Sequence, residues 1–164
     1  MNRHNPHPAA DSKIVPGNDR ARCRPDNTVF LVTVGYIQAF NGFCLKVTNQ
    51  TKTNMIGVNL SGADLTGANL SEAKLHDADM RGANMHKADL PTADMTGANL
   101  RGASFEDANL TWSTMVNADL RGVNFSKANL GSADLSGADL SGANLTGARF
   151  CKTKMPTGMD NSDC

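Results

Sequence analysis

Gly62-Ala63-Asp64-Leu65-Thr66-Gly67-Ala68-Asn69-Leu70 states one five-residue unit almost twice over. The unit, Ala-Asn/Asp-Leu-x-x, runs without a break from Leu60 to Phe150. Every fifth residue there is large and apolar: 12 Leu, 4 Met and 3 Phe over 19 positions. Two residues before it stands Ala in 16 of 19 cases, the exceptions being Val58, Ser113 and Val123. Asn or Asp fills the slot between in 15 of 19. Weaker units at Thr53-Asn54-Met55 and Thr153-Lys154-Met155 extend the run to 21.

A period of five fits neither the 3.6 of a helix nor the 2.0 of a long strand. Within one unit, small-polar-large alternates with period 2, so Ala and Leu point to one side and Asn or Asp to the other. The next two residues must turn the chain so that the following unit again points its apolar pair inward. A chain that bends the same way every five residues coils. Glycine spacing sets the size of the coil. The positions 62, 82, 102, 122 and 142, twenty apart, are all Gly, whereas a stride of 15 from Gly62 gives Gly, Asp, Thr, Asp, Gly. Four units per coil is therefore predicted. The Gly62–Gly142 corner should be a type II turn, which needs a positive φ. The corner of Glu72, Thr92, Trp112, Ser132 and Lys152 contains no Gly and is expected to use a different turn, with negative φ.

These residues resemble the pentapeptide-repeat family over 53–155, and the resemblance implies an all-β fold: a right-handed, quadrilateral parallel β-helix. About five coils at a spacing of about 4.8 Å make a rod about 25 Å long. The low aromatic content, 5%, suits so narrow an interior. The expected organisation is a basic N-terminal segment over 1–54, the repeat domain over 55–150 and a capping tail over 151–164. Ladders of like side chains should fill the core: Leu60, Met80, Leu100, Leu120 and Leu140 on one face, and Leu65, Met85, Phe105, Phe125 and Leu145 on another.

Function must then lie on the outside. Arg81, Arg101 and Arg121 share one column, about 5 Å apart, where like charges repel unless neutralised. Two readings stand: a strip for an anion or acidic partner, or local pairing with Asp79, Asp119 and Asp139 on the same face, with the pairing weighing more heavily. Trp112, the only Trp, sits at an outward corner, with Val116 outward on the next face. It either anchors a partner or packs on neighbouring side chains. His76 and His86 fall on opposite faces, with no second His or Cys within ligand reach of either, and His4 and His7 lie in a polar, Pro-containing N-terminus. No metal, cofactor or catalytic residue is expected. G-x-S-x-G, Walker, H-E-x-x-H and paired C-x-x-C motifs are all absent.

Sixteen Lys+Arg balance 16 Asp+Glu, which argues against nucleic-acid binding through bulk positive charge. One branch of the family inhibits DNA gyrase by imitating DNA. Residues 55–150 hold 11 acids and 7 bases, scattered over all four faces, which is not a continuous negative track of phosphate-like density. A structural scaffold or protein-interaction module with an unidentified protein partner is the expected function, and the DNA-mimicking gyrase inhibitor is the alternative.

Residues 1–54 carry 7 bases against 3 acids. Arg20, Arg22 and Arg24 precede the apolar run Val29-Phe30-Leu31-Val32-Thr33-Val34-Gly35-Tyr36-Ile37. This reads either as a secretory signal cleaved after Ala39 or as a strand or helix capping the rod. The run is too short to span a membrane. The tail from Cys151 to Cys164 resembles the C-x-T-x-M-P-x-G…N-x-x-C ending of family members exported to the cyanobacterial periplasm or thylakoid lumen. That resemblance implies a Cys151–Cys164 disulfide and an oxidising compartment; a cytoplasmic location is the alternative. The C-x-G-C opening common in that branch is Met55-Ile56-Gly57-Val58 here. Cys23 would leave with a cleaved signal, and Cys44 would stay unpaired.

Overall fold

Parallel bridges join residues twenty apart along the whole repeat region, from Asn54↔Lys74 to Asp134↔Lys154. The computed structural model describes residues 51–160 and 162–164. The expectations for His4, His7, Cys23, Cys44, the 29–37 run and cleavage after Ala39 lie outside them. The register confirms four five-residue sides per coil. We number the faces by their inward columns: face 1 from Met55, face 2 from Leu60, face 3 from Leu65 and face 4 from Leu70.

One rule accounts for the backbone amides, which must find acceptors once they are shielded from water. The large apolar residue donates to the carbonyl nineteen residues on, as Leu60 does to Asp79 at 2.7 Å. The polar residue before it donates back to the previous coil, as Asp79 does to Val58 at 2.9 Å. The small residue closes the turn, Ala63 donating to the Leu60 carbonyl at 3.0 Å. The residue after the large one is left over, its amide making no backbone bond to a neighbouring coil. The Asn or Asp side chain two residues earlier accepts from it: Ser61 N–H to Asn59 Oδ1 at 3.0 Å, and Thr66 N–H to Asp64 Oδ1 at 3.1 Å. This is an Asx turn repeated around the rod. It explains why the outward column prefers Asn and Asp over other polar residues.

The corners correct the sequence expectation. Glu72, Thr92, Trp112, Ser132 and Lys152 have φ of 57°, 57°, 61°, 58° and 57°, against 67° at Gly62 and 71° at Gly142. All four corners use one turn, with positive φ at its third residue. The left-handed conformation costs an L-residue about 1–2 kcal/mol. The inter-coil bond at that same residue offsets it, for example Trp112 N–H to the Gly131 carbonyl at 2.9 Å. Uniform stacking overrides the local preference. At the corner of faces 1 and 2, glycine has a second reason. A Cβ on Gly97 would meet Asp77 Oδ1 at 2.5 Å, and one on Gly137 would collide with Asn117 Oδ1. Each long side chain lies over the glycine of the next coil.

Inside, Leu75, Met80, Leu100, Phe105, Leu120 and Phe125 are fully buried. Phe105 and Phe125 stack, with ring centroids 5.3 Å apart and planes 25° apart. Ser113 replaces Ala without leaving a buried hydroxyl unpaired, because its Oγ donates to the Leu110 carbonyl at 2.8 Å. The tail adds two strands, β1 (Thr153–Met155) and β2 (Gly158–Asp160), paired antiparallel. β1 continues face 1 through the Asp134↔Lys154 bridge. Buried Thr153 donates its hydroxyl to the Leu130 carbonyl at 2.7 Å.

Candidate interaction surface

The three arginines follow the large residue on face 2, one per coil. Asp79 and Asp119 stand two residues before Arg81 and Arg121, in the Asx position on the same edge. Arg81 grips Asp79 with two bonds, Nε to Oδ1 at 2.8 Å and Nη2 to Oδ2 at 2.7 Å. Arg121 grips Asp119 in the same way, at 2.8 and 2.6 Å, and its Nε lies 3.8 Å from Asp139 Oδ2. Arg101 follows Asn99 instead. The amide oxygen of Asn99 accepts only the backbone N–H of Arg101, at 3.3 Å. Among the described residues no carboxylate lies within ion-pair distance of Arg101. The column is therefore two closed pairs with one open guanidinium between them. Reading the residue two before each arginine distinguishes Arg101 from its neighbours in sequence alone.

The arginine fork holds the Asp79 carboxyl below its ordinary range, and that of Asp119 down to about 2. Asp139 is lowered mainly by the Ser141 hydroxyl and backbone amide. A carboxylate whose pKa is depressed by folding stabilises the native state fully above the unfolded value, near 4. That contribution fades as pH falls toward the folded value. Stability measured by urea unfolding should thus decline between about pH 4 and pH 2, and Asp119→Asn should flatten part of that decline. An unchanged pH profile in the variant would show that the pair contributes nothing.

Trp112 stands at the corner of faces 4 and 1, diagonally across the rod from the corner that follows the arginines. The two candidate features are not brought together. The residue is 67% exposed, so packing on neighbouring side chains does not account for it. Thr92 and Ser132 flank it in the adjacent coils, and Val116 is half-buried on face 1. His76 Nδ1 lies 3.9 Å from Asp94 Oδ2, and His86 is on the opposite face. Among the described residues no cluster of three or more His, Cys, Asp or Glu could hold a metal ion. No helix in them is long and apolar enough to cross a membrane.

At the C-terminal end, Cys151 and Cys164 form a disulfide with Cα atoms 4.8 Å apart, about one inter-coil spacing. The Asp163 amide donates to the Phe150 carbonyl at 2.8 Å beside it. The tie on face 4 is the closure that the tail's resemblance implies; the hairpin on face 1, with no further strand over faces 2 and 3 among the described residues, is a feature the sequence does not announce.

A family profile described as pentapeptide repeats matches residues 53–90, 83–122 and 118–155. No curated protein is significantly similar in sequence. Among solved structures, a pentapeptide repeat protein of the Arabidopsis thaliana thylakoid lumen is 33% identical, with a TM-score of 0.57, over 58% of this chain and 66% of that one. HetL, a pentapeptide repeat protein involved in heterocyst differentiation regulation in Nostoc sp. strain PCC 7120, is 31% identical, with a TM-score of 0.50, over 68% of this chain and 60% of that one. Rfr23, a pentapeptide repeat protein of Cyanothece 51142, is 28% identical, with a TM-score of 0.55, over 69% of this chain and 92% of that one. The chain spans less than two thirds of the length of the first two.

Proposed function

The chain belongs to the pentapeptide-repeat family, and from that premise we propose that it is a non-catalytic scaffold that binds a protein partner through the sides of its rod. The observation that carries this reading is the position of Trp112. It is the largest side chain in the molecule, 67% exposed, held at a φ of 61° and giving nothing to the core. Exposed Trp is among the residues that dominate binding energy at protein interfaces. Arg101 offers a second contact on the opposite side, suited to a carboxylate.

The gyrase-inhibitor alternative is disfavoured by charge. A duplex mimic needs unneutralised carboxylates at phosphate-like density, whereas Arg81 and Arg121 cover two of the acids on face 2. We also place the protein in an oxidising compartment, on the Cys151–Cys164 bond and the likeness to a lumenal relative.

A photo-crosslinking residue at position 112 tests the interaction reading against the same residue at Thr66, an exposed site on face 3. One partner captured in the native source at 112 and absent at 66 is the expected result. Equal capture at both sites would overturn the role of Trp112. Inhibition of gyrase supercoiling at sub-micromolar protein would replace the reading by the alternative.

A further inference from the structure

The last coil ends unevenly. On face 1, β1 and β2 add two strands beyond residue 134. On face 4, Asp163 and the disulfide cover Phe150 and Cys151. On faces 2 and 3 the chain has already left the coil, because β2 turns back after Pro156 instead of continuing round. The consequence shows in the hydrogen bonds. One coil earlier, the amides of Leu120, Gly122, Phe125 and Lys127 donate to the carbonyls of Asp139, Ser141, Asn144 and Thr146. The carbonyls of Ala118 and Val123 accept from Asp139 and Asn144. Their counterparts in the last coil have no backbone partner among the described residues. These are the amides of Leu140, Gly142, Leu145 and Gly147 and the carbonyls of Ala138 and Ala143. The apolar floor is open too: Leu140, Leu145 and Phe150 are only partly buried, whereas Leu120, Phe125 and Leu130 are fully buried.

We propose that this half-edge docks an extended segment of a partner protein, which adds one further parallel strand bent at the corner of faces 2 and 3. The proposal rests on the protein-interaction reading above and gives it a second, separate site. The ligand's chemistry follows from the register. About ten residues in two small-polar-large units would offer carbonyls to the amides of Leu140, Gly142, Leu145 and Gly147 and lay two large apolar side chains over Leu140 and Leu145. Strand addition of this kind takes affinity from main-chain bonds and selectivity from alternate side chains. A second rod is a poorer occupant. β2 stands one strand beyond the coil that β1 completes, so a flat rod end meets it before it can approach faces 2 and 3 to the spacing of about 4.8 Å that pairing needs.

The probe is a synthetic peptide with the sequence of residues 138–147, added to the full-length oxidised protein, with amide exchange read by NMR. At least tenfold slowing at Leu140, Gly142, Leu145 and Gly147, with no change at Leu100, is the expected result. Leu145→Lys should abolish it. If that variant fails to fold, the same peptide N-methylated and added to the wild-type protein serves as the control and should protect nothing. Absence of slowing, or equal slowing by a scrambled peptide, overturns the site. Slowing without peptide that tracks a concentration-dependent dimer in sedimentation assigns the edge to a second copy and also overturns it. Capture at position 112 with no peptide protection would sink this site alone. Protection without such capture would sink the Trp112 reading and leave the edge standing.

Discussion

Phe125→Ala should lower the unfolding free energy by about 3–5 kcal/mol, the usual cost of removing a buried phenyl ring. The ring is fully buried and stacked 5.3 Å from Phe105. Its column offers little scope for collapse, because the backbone spacing of the coils is held by hydrogen bonds above and below. Part of the loss belongs to the pair. A double-mutant cycle with Phe105→Ala should return a coupling of about 0.5–1.5 kcal/mol beyond the separate burial terms. Leu145→Ala, in the same column but only partly buried, should cost clearly less. Urea unfolding of the wild type and the four variants measures all of this. Equal losses for Phe125→Ala and Leu145→Ala would mean that the last coil is as tightly closed as the middle.

Breaking the Cys151–Cys164 bond has the second large effect, and it should be local. The bond spans 13 residues of sequence, and closing a loop of that size is worth about 3 kcal/mol in the chain-entropy account. In a solenoid each coil contacts only its neighbours, so the loss stays near the end that carries it. Cys164→Ser is therefore expected to speed amide exchange at Ser132, Leu135, Lys154 and Asp163, which bond to or within the tail. Leu100 and Phe105 should keep their wild-type protection. Uniform acceleration along the rod would contradict the nearest-neighbour picture, and no acceleration would mean that the hairpin holds without the bond. The same residues test the compartment: if both thiols are reduced in protein from its native source, the argument for export fails.

The repeat was legible because each unit solves its own backbone. Small-polar-large alternation followed by a turn settles which side chains face inward, and the glycine stride settles that residues twenty apart stack. The corners were misread for a definite reason. At Glu72 and Trp112 single-residue preference favours negative φ, but the inter-coil bonds of those same residues require the left-handed conformation. That constraint comes from the coil above. The outward Asn and Asp were legible as polar and exposed, while their role as acceptors for the Ser61-type amide was not. The arginine column was legible as a charge problem. Its solution lay in Asp79, Asn99 and Asp119 two residues earlier, a spacing whose meaning depends on the turn geometry.

By itself the sequence determined the coil, its four sides, its inward ladders and the place of each candidate on a face, because those follow from periodicities of five and twenty. Only the tertiary structure decided that Trp112 projects instead of packing and that, among the described residues, the rod ends with two faces unpaired. These depend on what stands one coil above or below, or on where the tail turns back. A five-residue rule does not specify such contacts, since it is the same in every coil.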